Sequence, residues 1–430
     1  MPDMSVEPYW ELTFDKDGDV DPAERDALTQ GAARAGVTDL VVFAHGWNNE
    51  RSTATRLYDR FFAPFPGLLT GAAGGKRLGY AGVIWPSMDF PDEPIPHFPS
   101  SSSAAAAVPP GVGLDPATRE ALVRILPCEQ AVADRLSELL AQRPEDPARL
   151  EEFVSTARGL VADPPPGVAD LGQGPLPAIL TADARTVCES FSAALVSVGA
   201  LSSELLGSGL KRLWHGAYEL LRQLSYYTMK RRAGVVGEHG LGPFLGLLAG
   251  SCTGVRVHLV GHSFGARLVS FALGGLPDGA SPVSSVTLLQ GAFSHYAFAT
   301  SLPFASDRGG ALSGLYDRVN GPVVCCYSQH DTALGVLYPL ASLACGDDDS
   351  VLGLDDTRWG ALGHDGMQAV DACAGLSLAR ALAGGLPAYG CVNVDASAVV
   401  AHGGPPSGAH GDICHEELAR VVLLAGGITR

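Results

Sequence analysis

Val257-His258-Leu259-Val260-Gly261-His262-Ser263-Phe264-Gly265-Ala266-Arg267-Leu268-Val269 opens as an apolar strand, passes through Gly-x-Ser-x-Gly, and continues with helical spacing. A serine between such a strand and such a helix stands on a tight turn, with its backbone in a sparsely populated region. The glycines two before and two after it let strand and helix approach closely. The helix that follows points its N-terminus at the hydroxyl and favours negative charge developing there. Ser263 is therefore the candidate nucleophile, and the strand–turn–helix context predicts a parallel α/β sheet.

Working outward, the same alternation recurs. Leu40 to Ala44, Tyr80 to Trp85, Pro322 to Tyr327 and Cys391 to Val394 are short apolar runs of buried-strand type. Tyr9 to Phe14 reads as a further strand, closed by the acidic turn Asp15 to Asp19. Asp21 to Ala35 has helical spacing, with Asp21 as N-cap and Pro22 at the first helical position. A second helix is expected from about Ser52 to Phe62.

The text changes after Trp85. Pro86 to Pro110 is rich in proline, serine and alanine, and reads as an irregular excursion. Helical patterns then cover about Pro116–Arg143, Ala148–Val161 and Ala182–Met229, with breaks at Pro164–Pro166 and near Gly207 and Gly209, and a short helix spans about Leu241–Ala249. Neighbouring parallel strands do not need more than about a hundred residues between them. The chain is thus expected to divide into a first core segment 1–91, a helical insertion 92–216 and a second core segment 217–430.

Partners for Ser263 follow in order. Asp331 follows the strand Pro322–Tyr327 after a three-residue loop, Ser328-Gln329-His330. An acid there can hold an imidazole in the tautomer that accepts the serine proton. Asp307 and Asp317 precede that strand and sit at its wrong end. Among twelve histidines, His410 lies in Pro405-Pro406-Ser407-Gly408-Ala409-His410-Gly411-Asp412, ahead of a last helix expected from about Ile413 with Asp412 as its cap. The rivals are His402, which no helix start follows, and His415, which is expected to point from the helix. His364 is expected in a surface loop.

Val41-Val42-Phe43-Ala44-His45-Gly46-Trp47-Asn48 places His-Gly-Trp-Asn directly after a buried strand. With the serine motif and the Ser, Asp, His order, this resembles the α/β-hydrolase superfamily, and within it bacterial hydrolases with a His-Gly-Trp-Asn segment. The match covers roughly Leu40–Trp85 and Leu210 to the end, and the insertion matches nothing recognised. The resemblance implies an α/β-hydrolase fold, a mostly parallel sheet flanked by helices with the insertion as a cap, and an oxyanion hole from the backbone N–H groups of Trp47 and Phe264. It also implies an esterase- or lipase-like activity on a small-molecule ester or acyl substrate, with His45, Gly46 and His262 beside it. His45 and His262 have no metal-ligand spacing with a carboxylate or thiol, so a structural role, or one supporting the residues beside them, fits better than zinc. No metal or cofactor is expected. Two other readings stay open: a thioesterase or acyltransferase with the same triad, and a non-catalytic binding protein on this fold. Dehalogenases and epoxide hydrolases of the superfamily would need Asp in place of Ser263.

A formal charge of −17 and the lack of a basic stripe argue against nucleic acid. Nine cysteines without a C-x-x-C pair point to a reduced, cytoplasmic setting, with Cys325 and Cys326 as small hydrophobes. Met1 to Asp21 has no basic start followed by an apolar run, and no apolar stretch reaches membrane-spanning length, so neither a secretory signal nor an integral membrane segment is expected.

Overall fold

Apolar runs that cannot face water on either side require a layer of helices on both, and the molecule is built that way. The computed structural model describes residues 4–47, 49–69, 75–87, 113–126, 128–161, 178–197, 201, 209–338, 360–404 and 407–429. Eight strands form one sheet: β1 (Tyr9–Thr13), β2 (Asp39–Ala44), β3 (Leu78–Ile84), β4 (Arg256–His262), β5 (Val283–Leu289), β6 (Pro322–Tyr327), β7 (Ala374–Ser377) and β8 (Gly390–Asp395). Their order is β1-β3-β2-β4-β5-β6-β8-β7, and every neighbouring pair is parallel. All strands therefore end on one edge.

The helices are α1 (Pro22–Ala35), α2 (Arg51–Phe62), α3 (Phe65–Leu69), α4 (Pro116–Ile125), α5 (Gln130–Gln142), α6 (Pro147–Arg158), α7 (Ala178–Thr181), α8 (Ala184–Ser197), α9 (Leu210–Val235), α10 (Gly242–Ser251), α11 (Phe264–Ala272) and α12 (Glu416–Ala425), with shorter turns between. The expected start of α1 is observed: the Asp21 carboxylate accepts from the Ala23 and Glu24 N–H groups, both at 2.9 Å. Gly36, at φ 60°, closes it.

One apolar core lies on each face of the sheet. Phe43, Tyr58, Phe61, Phe62, Val260 and Val422 belong to one. The other takes Val42, Leu259 and Phe264 and continues without a break into Leu136, Phe153, Phe191 and Trp214 of the inserted helices. α9 runs through the expected 216/217 boundary and carries the packing of α6 and α8.

Two expectations are corrected. α9 does not end near Met229: it continues through a π-helical turn, Val236–Leu241, into α10. The glycines there are required by close packing. A Cβ on Gly237 would stand 2.2 Å from the Leu268 carbonyl oxygen, and one on Gly240 would stand 2.6 Å from that of Gly18. The last helix starts at Glu416, not near Ile413. Asp412 is not its cap, because its carboxylate accepts from the Ala401 and His402 N–H groups at 3.0 and 2.9 Å and pairs with His415 at 2.8 Å.

Beneath the sheet ends, a buried polar chain ties three strands: Ser285 Oγ lies 2.9 Å from His258 Nδ1, and His258 Nε2 lies 3.0 Å from Asp39 Oδ1. All three side chains are sealed from solvent. The eight described cysteines are free thiols. Among the described residues no helix is long and apolar enough to cross a membrane. Residues 88–110 and Pro164–Pro166, read above as an excursion and a break, lie outside the described residues.

Candidate active site

Because the sheet is wholly parallel, residues that follow the apolar strands gather at its carboxyl edge. β4 ends at His262 and α11 begins at Phe264, which leaves Ser263 alone on the turn at φ 57°, ψ −119°. An L-residue rarely holds such a φ, so the surroundings must over-determine it. They do so through contact. A Cβ on Gly261 would lie 2.4 Å from the Gly265 carbonyl oxygen, and one on Gly265 would lie 1.9 Å from that of Ala44. Ser263 N–H donates to the Leu289 carbonyl at 3.0 Å and fastens the turn to β5.

His410 Nε2 stands 2.9 Å from Ser263 Oγ, and His410 Nδ1 stands 2.7 Å from Asp331 Oδ2. A carboxylate can only accept, so the imidazole proton sits on Nδ1 and Nε2 turns a lone pair to the hydroxyl. Asp331 is fully buried. Its Oδ1 accepts from the Leu334 N–H at 3.0 Å, and its Oδ2 also accepts from Gln290 Nε2 at 3.2 Å. Burial normally disfavours a carboxylate, and three donors on two oxygens supply what water would have given.

The loops that carry Asp331 and His410 are laced together. Ala409 N–H donates to the His330 carbonyl at 3.0 Å, and Ala333 N–H to that of Ser407 at 3.3 Å. Gly408 adopts φ 58°, and a Cβ there would stand 2.5 Å from Thr332 Oγ1. His402 is exposed beside Asp412, and His415 pairs with Asp412, so neither rival stands at Ser263. His364 is not in a surface loop. It lies half-buried in the one-turn helix Leu362–Asp365, with Nδ1 2.7 Å from Asp365 Oδ1, and His295 Nδ1 reaches the other oxygen at 3.0 Å. Burial alone would raise the Asp365 carboxyl, but these two histidines hold it well below the carboxylate range, and Asp365 in turn raises His364.

Gly46 packs directly on Ser263. A Cβ there would be 2.7 Å from Ser263 Cβ and 3.2 Å from Ser263 Oγ. The Gly46–Trp47 peptide therefore borders the hydroxyl, and Asn49 Nδ2 holds its outer side by donating to the Trp47 and Gly46 carbonyls at 2.9 and 3.3 Å. Asn48 lies outside the described residues. Phe264 N–H is the first of α11, at the end where helix N–H groups lack intrahelical acceptors.

His45 is fully buried and turned into the fold. Its Nδ1 donates to the Gly46 carbonyl at 2.8 Å, its ring stacks on Trp85 at 5.6 Å, and its N–H meets Tyr58 Oη at 3.0 Å. Burial pushes its pKa down to about 4, so it is neutral. His262 Nε2 lies 2.9 Å from the His410 carbonyl oxygen. Around the serine, Tyr226 of α9 packs on Phe264 (4.4 Å between ring centroids), on Trp47 (5.7 Å) and on Tyr338 (6.3 Å). The result is an aromatic wall.

Sequence reading missed Gln290 and Tyr226. Gln290 stands one residue beyond β5, the position class that yields Ser263 and Asp331, and that placement was the available signal. Tyr226 sits inside a helical run with nothing to distinguish it from core. Among the described residues no cluster of three or more His, Cys, Asp or Glu is placed to hold a metal ion. No family model, curated protein or solved structure matches the chain.

Proposed function

We propose that the chain is a serine hydrolase of the α/β-hydrolase kind that cleaves carboxylic esters through an acyl-enzyme. The observation that carries this reading is the unbroken chain Ser263 Oγ–His410 Nε2 (2.9 Å) and His410 Nδ1–Asp331 Oδ2 (2.7 Å), with its carboxylate fully buried. Ser263 attacks the ester carbonyl carbon while His410 takes its proton, and Asp331 stabilises the imidazolium. The oxyanion is held by the Trp47 and Phe264 amides, the α11 N-terminus adding to the field. His410 then returns the proton to the departing alkoxide. In the second half a water, deprotonated by His410, attacks the acyl carbon; the bond to Ser263 Oγ breaks as His410 returns that proton to it, releasing the acid and the free hydroxyl.

The strained serine supports this reading, since a φ of 57° is kept only where the neighbours enforce it. The wall of Trp47, Tyr226, Phe264 and Tyr338 favours an apolar acyl or alcohol group. The inserted helices would contribute to the substrate pocket through α9. Hydrolysis of p-nitrophenyl esters from acetate to long acyl chains, by wild type and Ser263→Ala, tests the proposal. Turnover that vanishes in the folded variant supports it, and equal turnover in both proteins overturns it.

A further inference from the structure

His262 adjoins Ser263 in sequence but is not spent on the nucleophile itself. Its ring is almost wholly buried, and its Nε2 is 2.9 Å from the His410 backbone carbonyl. A carbonyl oxygen can only accept, so Nε2 carries the proton and this bond fixes the tautomer. The two imidazoles lie 5.1 Å apart at 40°. The base is thus tied at its backbone to the residue that precedes the nucleophile.

His410 needs such a tie. It sits fifteen residues beyond the end of β8 at Asp395, on no strand or helix. Its own N–H donates to the Ser407 carbonyl within the same loop, at 3.3 Å. The lacing through Ala409 and Ser407 secures the loop to the acid's side of the site. The His262 bond secures it to the serine's side. The two attachments together set the 2.9 Å separation of His410 Nε2 from Ser263 Oγ.

We infer that His262 is a positioning residue, whose Nε2–H holds the His410 loop at hydrogen-bonding distance from the nucleophile. This rests on the hydrolase reading. It assigns His262 an action through His410 and no contact with substrate. A glutamine places its amide nitrogen near the position of imidazole Nε2 and can keep the donor, whereas phenylalanine fills the space without one.

The test compares His262→Gln and His262→Phe with wild type by kcat and KM on p-nitrophenyl butyrate. The downfield proton resonance of the His410 Nδ1–H···Asp331 bond is followed in the same proteins, and thermal melting confirms folding. The expected result is a fall in kcat of about 100-fold in His262→Phe, with KM little changed and the downfield resonance broadened. In His262→Gln, kcat returns to within about tenfold of wild type. Two outcomes overturn the inference: equal loss in both variants, or a folded His262→Phe that keeps wild-type kcat and a sharp resonance. The resonance does not depend on turnover. A wild type that hydrolyses no ester but shows the resonance, lost in His262→Phe and kept in His262→Gln, would sink the hydrolase reading and leave the positioning role standing.

Discussion

Replacing Asp331 by asparagine changes one oxygen into an NH₂ group, and the surroundings dictate which one. Oδ1 accepts from the Leu334 backbone N–H at 3.0 Å, a donor that cannot change its nature. Oδ2 faces His410 Nδ1 at 2.7 Å and Gln290 Nε2 at 3.2 Å. If the new NH₂ met Leu334, two donors would face each other in a buried site, at about 1–3 kcal/mol. Turned the other way, it meets groups that can adapt. Among the described residues the buried Gln290 Oε1 has no hydrogen-bond partner, and it can rotate round to accept. His410 can accept at Nδ1 once its proton moves to Nε2. The second arrangement therefore wins, and it points an N–H at Ser263 Oγ where a lone pair is needed. The serine proton then has nowhere to go. The wrong tautomer is worth about 10⁴ in kcat, or about 5 kcal/mol of barrier. The lost charge-assisted bond costs about 1.5–3 kcal/mol of stability. The assay is kcat and KM on p-nitrophenyl butyrate beside a urea unfolding curve. A folded Asp331→Asn within tenfold of wild-type kcat would refute the tautomer argument.

Three further outcomes follow from the same geometry. Gly46→Ala puts a carbon 2.7 Å from Ser263 Cβ. Two carbons need about 3.5–4.0 Å, so the serine moves by about 1 Å and kcat drops as much as about 100-fold, while thermal melting shows the fold retained; unchanged kcat would mean that Ser263 is not the reacting group. Ser263→Gly releases the strain at φ 57° that Ser263→Ala keeps, so it should unfold at higher temperature than the alanine variant, by about 1 kcal/mol, with both inactive; equal stability would count against the strain. His45, whose pKa burial lowers to about 4, binds a proton more readily unfolded than folded. Its contribution to stability is full above the unfolded value of about 6.5 and is lost as pH falls towards about 4. The melting temperature of His45→Asn should thus fall less steeply over that range than that of wild type, and parallel slopes would exclude His45 as a source of acid sensitivity.

What could be read in the sequence divides by whether one demand or two acted on a residue. Leu40–Ala44 and Pro322–Tyr327 answer only to burial on both faces, and β2 and β6 stand where these runs place them. β5 was not picked out by itself because Ser284 and Ser285 interrupt its apolar pattern. Ser285 is there for the His258 ring, a partner no local pattern reveals. The helix is expected to stop near Met229, and Gly237 and Gly240 lie just beyond that point, in the turn that joins α9 to α10. They are points where α9 and α10 press on the Leu268 and Gly18 carbonyls. Asp412 has the sequence of a helix cap, but two N–H groups from residues 401 and 402 claim its carboxylate first.

The site was more legible than the framework around it, for a topological reason. In an all-parallel sheet, the end of any apolar run marks one shared edge, so Gly46, Ser263, Gln290 and Asp331 are brought together by position relative to their strands. No tertiary knowledge is needed to list them, only to recognise each strand, and Gln290 was lost because β5 was. His410 is different in kind. It belongs to no strand end, and what brings it to Ser263 is a set of loop bonds to His330, Ala333 and His262 that leave no periodic trace. On the proposed hydrolase reading, a change in any of those attachments should therefore lower ester turnover before it unfolds the protein.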